Sequence, residues 1–115
     1  MQIEIKNYYI MISEREELTL KNGATIVLTN GEDGVTVHIT GFEEPMMKTN
    51  NDIKKLAKDI GRFLRKNYGK AFNEDGLFSK VQEQDRDLNK LAIRLRRINP
   101  EYTRIDYKVW LWGAD

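Results

Sequence analysis

The sequence predicts an α+β fold: an antiparallel sheet of four to five strands, an N-terminal meander plus a C-terminal strand, with two helices packed on one face. Three observations carry this. Apolar residues alternate in short runs separated by turn residues over 1–41; helical spacing takes over across 49–98; alternation returns at 102–112. A chain of 115 residues, 40% hydrophobic and 32% charged, has the size and composition of one globular domain covering 1–115.

Each element has its own warrant. "QIEIKNYYIMI" (2–12) is rich in isoleucine and tyrosine, and its alternation shifts phase between Ile3, Ile5 and Ile10, Ile12. That predicts one strand with a bulge near Asn7–Tyr8. "ELTLK" and "ATIVLT" flank Asn22–Gly23, the pair that favours a type I′ hairpin because both central residues need positive φ. "NGEDG" (30–34) reads as a second, longer turn, and "VTVHIT" alternates strictly, with Val35, Val37 and Ile39 opposite Thr36, His38 and Thr40. "GFEEPMM" breaks the pattern. Thr49, Asn50 and Asn51 are capping types, followed at helical spacing by Ile53, Leu56, Ala57, Ile60, Phe63, Leu64 and Tyr68, with Gly69 as the stop. A second helix starts near Ser79, where "SKVQ" has the form of a capping box, and runs through Val81, Leu88, Leu91, Ala92, Leu95 and Ile98 to Asn99–Pro100. The last strand sets Ile105, Tyr107, Val109 and Leu111 against Arg104, Asp106, Lys108, Trp110 and Trp112, and is expected to return to the sheet.

Several function classes find no support. There is no cysteine, which removes disulfides, thiolate chemistry and cysteine-ligated zinc. The lone histidine, His38, lies on the polar face of its strand with no nucleophile and orienting group nearby in sequence. "NEDG" and "GEDG" lack the alternating ligands and terminal glutamate of a calcium loop, and "GKAF" lacks the glycine spacing and hydroxyl of a phosphate loop. No cofactor or metal is expected, and no enzymatic activity. The longest apolar run, "YYIMI", is too short for a membrane span and the N-terminus has no signal-peptide pattern, so a cytoplasmic protein without membrane partners is the expectation.

Charge is the informative feature. Net charge is +1, yet residues 1–47 hold 3 basic and 8 acidic side chains, leaving 16 basic and 10 acidic beyond them. "KKLAKDIGRFLRK" (54–66) concentrates the excess. On a wheel of 100° per residue the apolar positions of this helix span ~140°, and Lys54, Lys55, Lys58, Arg62, Arg65 and Lys66 fall within ~120° on the opposite side. Like charges three and four apart repel, and Lys54 and Lys55 occupy the first turn, where the macrodipole disfavours cations. Stability alone therefore does not explain the stripe. The second helix does follow the dipole, with Glu83, Asp85 and Asp87 before Lys90, Arg94, Arg96 and Arg97. There Ile93 falls outside the apolar stripe, beside Arg97.

The six cations of the first helix are the leading candidate binding residues. A secondary set comprises Ile93, Arg97, Arg104, Lys108, Trp110 and Trp112. The tryptophans are read either as core packing or, beside Arg104 and Lys108, as a stacking and hot-spot surface. The expected function is a small non-catalytic binding protein, regulatory or inhibitory, docking on a protein partner with an acidic patch. The alternative is nucleic-acid binding through the first helix and the Trp110/Trp112 face, against which stands a pI near 7.9.

Overall fold

A computed structural model describes the backbone over residues 2–5, 8–71 and 77–102, and the side chains over 12–67 and 86–102. Its elements in chain order are β1 (Gln2–Ile5), β2 (Tyr8–Met11), β3 (Arg15–Thr19), β4 (Thr25–Gly31), β5 (Gly34–Thr40), β6 (Met46–Asn50), α1 (Ile53–Ala71) and α2 (Leu77–Ile98). The main sheet is an antiparallel meander in the order β3-β4-β5-β6. Together with the two helices it makes the α+β arrangement expected. The C-terminal strand expected at 102–112, with Arg104, Lys108, Trp110 and Trp112, lies outside the described residues apart from Tyr102, which is fully buried.

Alternation decides which face of the sheet is covered. Leu18, Ile26 and Ile39 share one face in register, as do Leu28 and Val37, and all five are buried. Thr29, Thr36 and Thr49 occupy the other face, as do Val27, His38 and Met47. α2 packs over β3 and β4, and α1 over β5 and β6. The core between the layers joins Leu56, Ile60 and Leu64 of α1 to Leu88, Leu91 and Leu95 of α2, every one fully buried. Phe63 is half-buried at its margin, edge-to-face on Phe42 with ring centroids 5.7 Å apart.

Local structure departs from the sequence reading in several places, each with a physical reason. Residues 2–11 are two strands and not one bulged strand: β1 and β2 pair with each other, Ile3 opposite Ile10 and Ile5 opposite Tyr8, in a separate two-stranded sheet. The phase shift in the sequence marks the reversal of the chain. The Asn22–Gly23 hairpin forms, but with a three-residue loop. Leu20 N–H donates to the Ala24 carbonyl (2.7 Å), Gly23 N–H donates to the Leu20 carbonyl (2.9 Å), and Gly23 takes φ 93°. That is the type I turn with a glycine bulge. Asn22 uses its side chain to accept the Ala24 N–H at 3.0 Å. The turn at 30–34 is shorter than expected, since Gly31 pairs with Gly34 across Glu32–Asp33. Gly34 has φ 115°, and a Cβ there would run into the Asn50 carbonyl oxygen, so only glycine suits the position.

β6 is the largest departure. "MMKTN", read from sequence as a break followed by caps, is an edge strand paired to β5. The cap of α1 is therefore Asp52, not Thr49, Asn50 or Asn51. Its carboxylate accepts the Lys54 and Lys55 N–H groups at 3.0 and 3.3 Å, and Asn50 supports it by accepting the Asp52 N–H at 2.9 Å. This carboxylate at the helix start offsets the two lysines that the dipole disfavours. α1 also passes through Gly69 to Ala71, and α2 begins at Leu77, so Ser79 lies inside the helix and not at its cap.

Asp87 takes a different role from the one its charge suggested. With α2 starting at Leu77, Asp87 stands mid-helix, where the dipole has little hold. It is only 1% exposed and both carboxylate oxygens accept the Lys21 N–H at 3.2 Å, pinning the β3–β4 turn to α2. Asp87→Ala should cost about 1.5–3 kcal/mol, the range for a buried hydrogen bond to a charged group, and Asp87→Asn less. Urea unfolding of both variants measures this. Equal midpoints for Asp87→Ala and wild type would mean that the turn is held by other contacts.

Candidate docking surface

Both helices lie on the same face of the sheet, so their outward faces form one layer. Over 53–67 and 86–98 that layer carries Lys54, Lys55, Lys58, Arg62, Arg65 and Lys66 from α1, and Arg86, Lys90, Arg94, Arg96 and Arg97 from α2. The carboxylates on the same stretches are Asp59 and the buried Asp87. Lys54, Lys55, Arg62 and Lys66 are exposed, while Lys58 and Arg65 are half-buried. The six cations singled out from sequence thus lie along one helix and, by its periodicity, on its solvent side.

Carboxylates reach this layer from its two flanks. On the β6 side, Asp59 stands 3.5 Å from Lys48 and 3.6 Å from Arg62. On the β3 side, Glu16 stands 3.5 Å from both Arg94 and Arg97. Glu16 is 14% exposed, and sequence reasoning missed it because 78 and 81 residues separate it from its partners. It balances part of the charge of α2, so Arg97 is an ion-paired side chain rather than a free cation. Such pairs are worth little to stability at the surface, but they set where the potential is strongest. Over the described side chains, α1 thus carries six cations to one carboxylate, Asp59, with Arg62 in contact with it.

Ile93 is 43% exposed, as expected from its place on the wheel. Lys90 and Arg97, three residues before it and four after, are its neighbours on the helix surface. The exposed carboxylates of the strand half, at Glu14, Glu17, Glu32, Asp33, Glu43 and Glu44, lie on β3 and in loops and turns beside the strands. Among the described residues, the charge split along the sequence is thereby a split between the helical layer and the strand half.

The rest of the described surface offers less. A shallow cleft of about 290 Å³ is lined by Glu14, Asn30, Gly31 and Glu32. His38 is half-buried on the outer sheet face, directly opposite Val27 and Met47. Neither neighbour can trade a proton with it. His38→Gln should therefore leave folding and binding unchanged; a folded variant that loses function would give the imidazole a chemical role. Among the described residues no helix is long and apolar enough to cross a membrane. No family model matches the chain, and no curated protein or solved structure matches it either.

Proposed function

We propose that the chain is a non-catalytic binding protein, regulatory or inhibitory in role, that docks on an acidic patch of a protein partner through its helical layer. One observation carries the reading. The layer combines exposed cations on α1 with an exposed isoleucine, Ile93, flanked by Lys90 and Arg97 on α2. An apolar contact within a charged surround is the composition of a protein interface. A polyanion needs the cations but has no use for the isoleucine. The charges steer encounter and set specificity, and the apolar contact slows dissociation.

A second reading, binding to nucleic acid, is favoured by the density of cations on α1, where Lys54, Lys58, Arg62 and Arg65 succeed one another at three- and four-residue spacing. Salt dependence separates the two. Duplex contact gives a linear fall of log affinity with log salt, about 0.9 per phosphate neutralised. Titration of the chain into duplex DNA over a salt series, with affinity capture before and after nuclease treatment, tests the proposal. The expected result is weak DNA binding and a protein partner that survives nuclease treatment. A steep DNA salt slope together with loss of all partners on nuclease treatment would overturn the protein reading in favour of the nucleic-acid one.

A further inference from the structure

Among the described residues β6 is an edge strand of the main sheet, beside the basic helix, and the ladder determines which of its backbone groups point away from β5. Leu20 N–H donates to the Ala24 carbonyl, and Asn30 N–H donates to the Glu14 carbonyl. The even-numbered residues of β4 therefore bond toward β3 and the odd-numbered ones toward β5. Carried through the register, Val35, Val37 and Ile39 of β5 bond toward Asn50, Lys48 and Met46 of β6. That leaves the N–H and C=O groups of Met47 and Thr49 directed away from the sheet. The hydroxyls of Thr36 and Thr49, 2.7 Å apart, agree with this assignment, because side chains approach most closely in pairs that do not share ladder bonds.

Side chains on the two faces of this edge differ in kind. Lys48 shares the helix-covered face with Val37 and reaches Asp59 of α1, whose neighbours by helical spacing include Lys55 and Arg62. Met47, 64% exposed, stands on the outer face. An added strand would therefore meet cations with one set of alternate side chains and a methionine with the other. The opposite edge, β3, is unsuited to the same ligand. It carries Glu16 and Glu17, and Glu16 already holds Arg94 and Arg97.

We propose that β6 is a strand-addition site for an extended acidic segment of a protein partner, in which acidic side chains facing Lys48 and α1 alternate with apolar ones facing Met47. This rests on the reading of the helical layer as a protein-docking surface, and it states how the partner is held: main-chain bonds to Met47 and Thr49, with charge selecting the edge.

The test uses a capped peptide of alternating glutamate and valine, about eight residues long, the size of one strand, with a lysine–valine peptide as control. Binding of the acidic peptide alone, with slowed amide exchange at Met47 and Thr49 in the wild-type chain, is the expected result. Met47→Pro removes an outward N–H without breaking a ladder bond, the one setting in which an edge strand accepts proline. It should weaken the peptide by about tenfold, the worth of one or two hydrogen bonds. Unchanged exchange at Met47 and Thr49 in the wild-type complex would overturn the proposal whatever the variant does. Concentration-dependent self-association in sedimentation, abolished by Met47→Pro, would make the occupant a second copy and would overturn it too. If Lys55→Glu weakens capture of the natural partner while Met47→Pro does not, strand addition fails and the helical-layer reading stands. If neither variant matters, both fail.

Discussion

Leu91→Ala should lower the stability of the fold by about 2–5 kcal/mol, the cost of deleting a leucine from a packed core. Leu91 is fully buried on α2 among Leu88, Leu95, Leu56, Ile60 and Leu64, which the two helices bring together above the sheet. Both neighbouring layers are fixed by other contacts: β3 and β4 by their ladder, α2 by Asp87 and by the carbonyls at its end. The Arg97 carbonyl accepts the Ser13 N–H and the Ile98 carbonyl accepts the Asn30 side-chain N–H, each at 3.0 Å. Walls held in this way relax little into a cavity, which places the expected loss toward the upper half of the range. The denaturant midpoint should fall while its slope stays constant, since the surface exposed on unfolding hardly changes. Ile93→Ala, on the outer side of the same helix, should move stability by no more than about 0.5 kcal/mol. Equal midpoints for the two variants would invert the packing of α2.

Lys55→Glu combined with Arg62→Glu should abolish most partner binding and leave the fold intact. The two residues are exposed and seven apart, hence on one line of α1. Reversing them changes the charge of the helical layer by −4 (two side chains, each from +1 to −1). Folding should be unaffected or slightly improved. The Arg62–Asp59 pair is exposed on the arginine side and worth at most ~1 kcal/mol. Its loss is offset by relief of like-charge repulsion and by a glutamate at the third position of α1, where the dipole favours an acid. Association with an acidic partner should slow by about 10–100-fold at low salt, because steering is a long-range effect of the summed charge. The difference from wild type should shrink as salt rises and screening removes what the substitutions removed. Stopped-flow kinetics over a salt series measures it. Unchanged association at low salt would reduce the cationic stripe to a solvated helix face and remove the basis of the proposed function.

Much of the fold can be read from neighbouring residues alone. The strict alternation of "VTVHIT" places Val35, Val37 and Ile39 inside, and helical spacing places Leu56, Ile60, Leu64, Leu88, Leu91 and Leu95 in one core. β6 escapes such reading because alternation is visible only when one face is apolar and buried. Its inward positions are Met46, Lys48 and Asn50, and Lys48 reaches past the edge to Asp59 instead of filling a core. The strand exists because its backbone pairs with β5. The helix cap is hidden for a related reason: Thr49 and Asn50 have the composition of caps, but the ladder claims them, and the carboxylate that reaches the first-turn N–H groups is that of Asp52, beyond the bend at Asn51.

The sequence by itself determined the fold class, the buried faces of both helices and the cationic face of α1, since each is a pattern with a period of two or 3.6 residues within one segment. Tertiary structure decided the remainder. It made β6 and β3 the edges of the main sheet among the described residues, turned Asp87 into the anchor of a hairpin turn 66 residues away, and brought Glu16 to Arg94 and Arg97 across 78 and 81 residues. It also joined the cations of two helices into one layer. Those outcomes depend on which non-local surfaces meet and in what register, and no local periodicity encodes that.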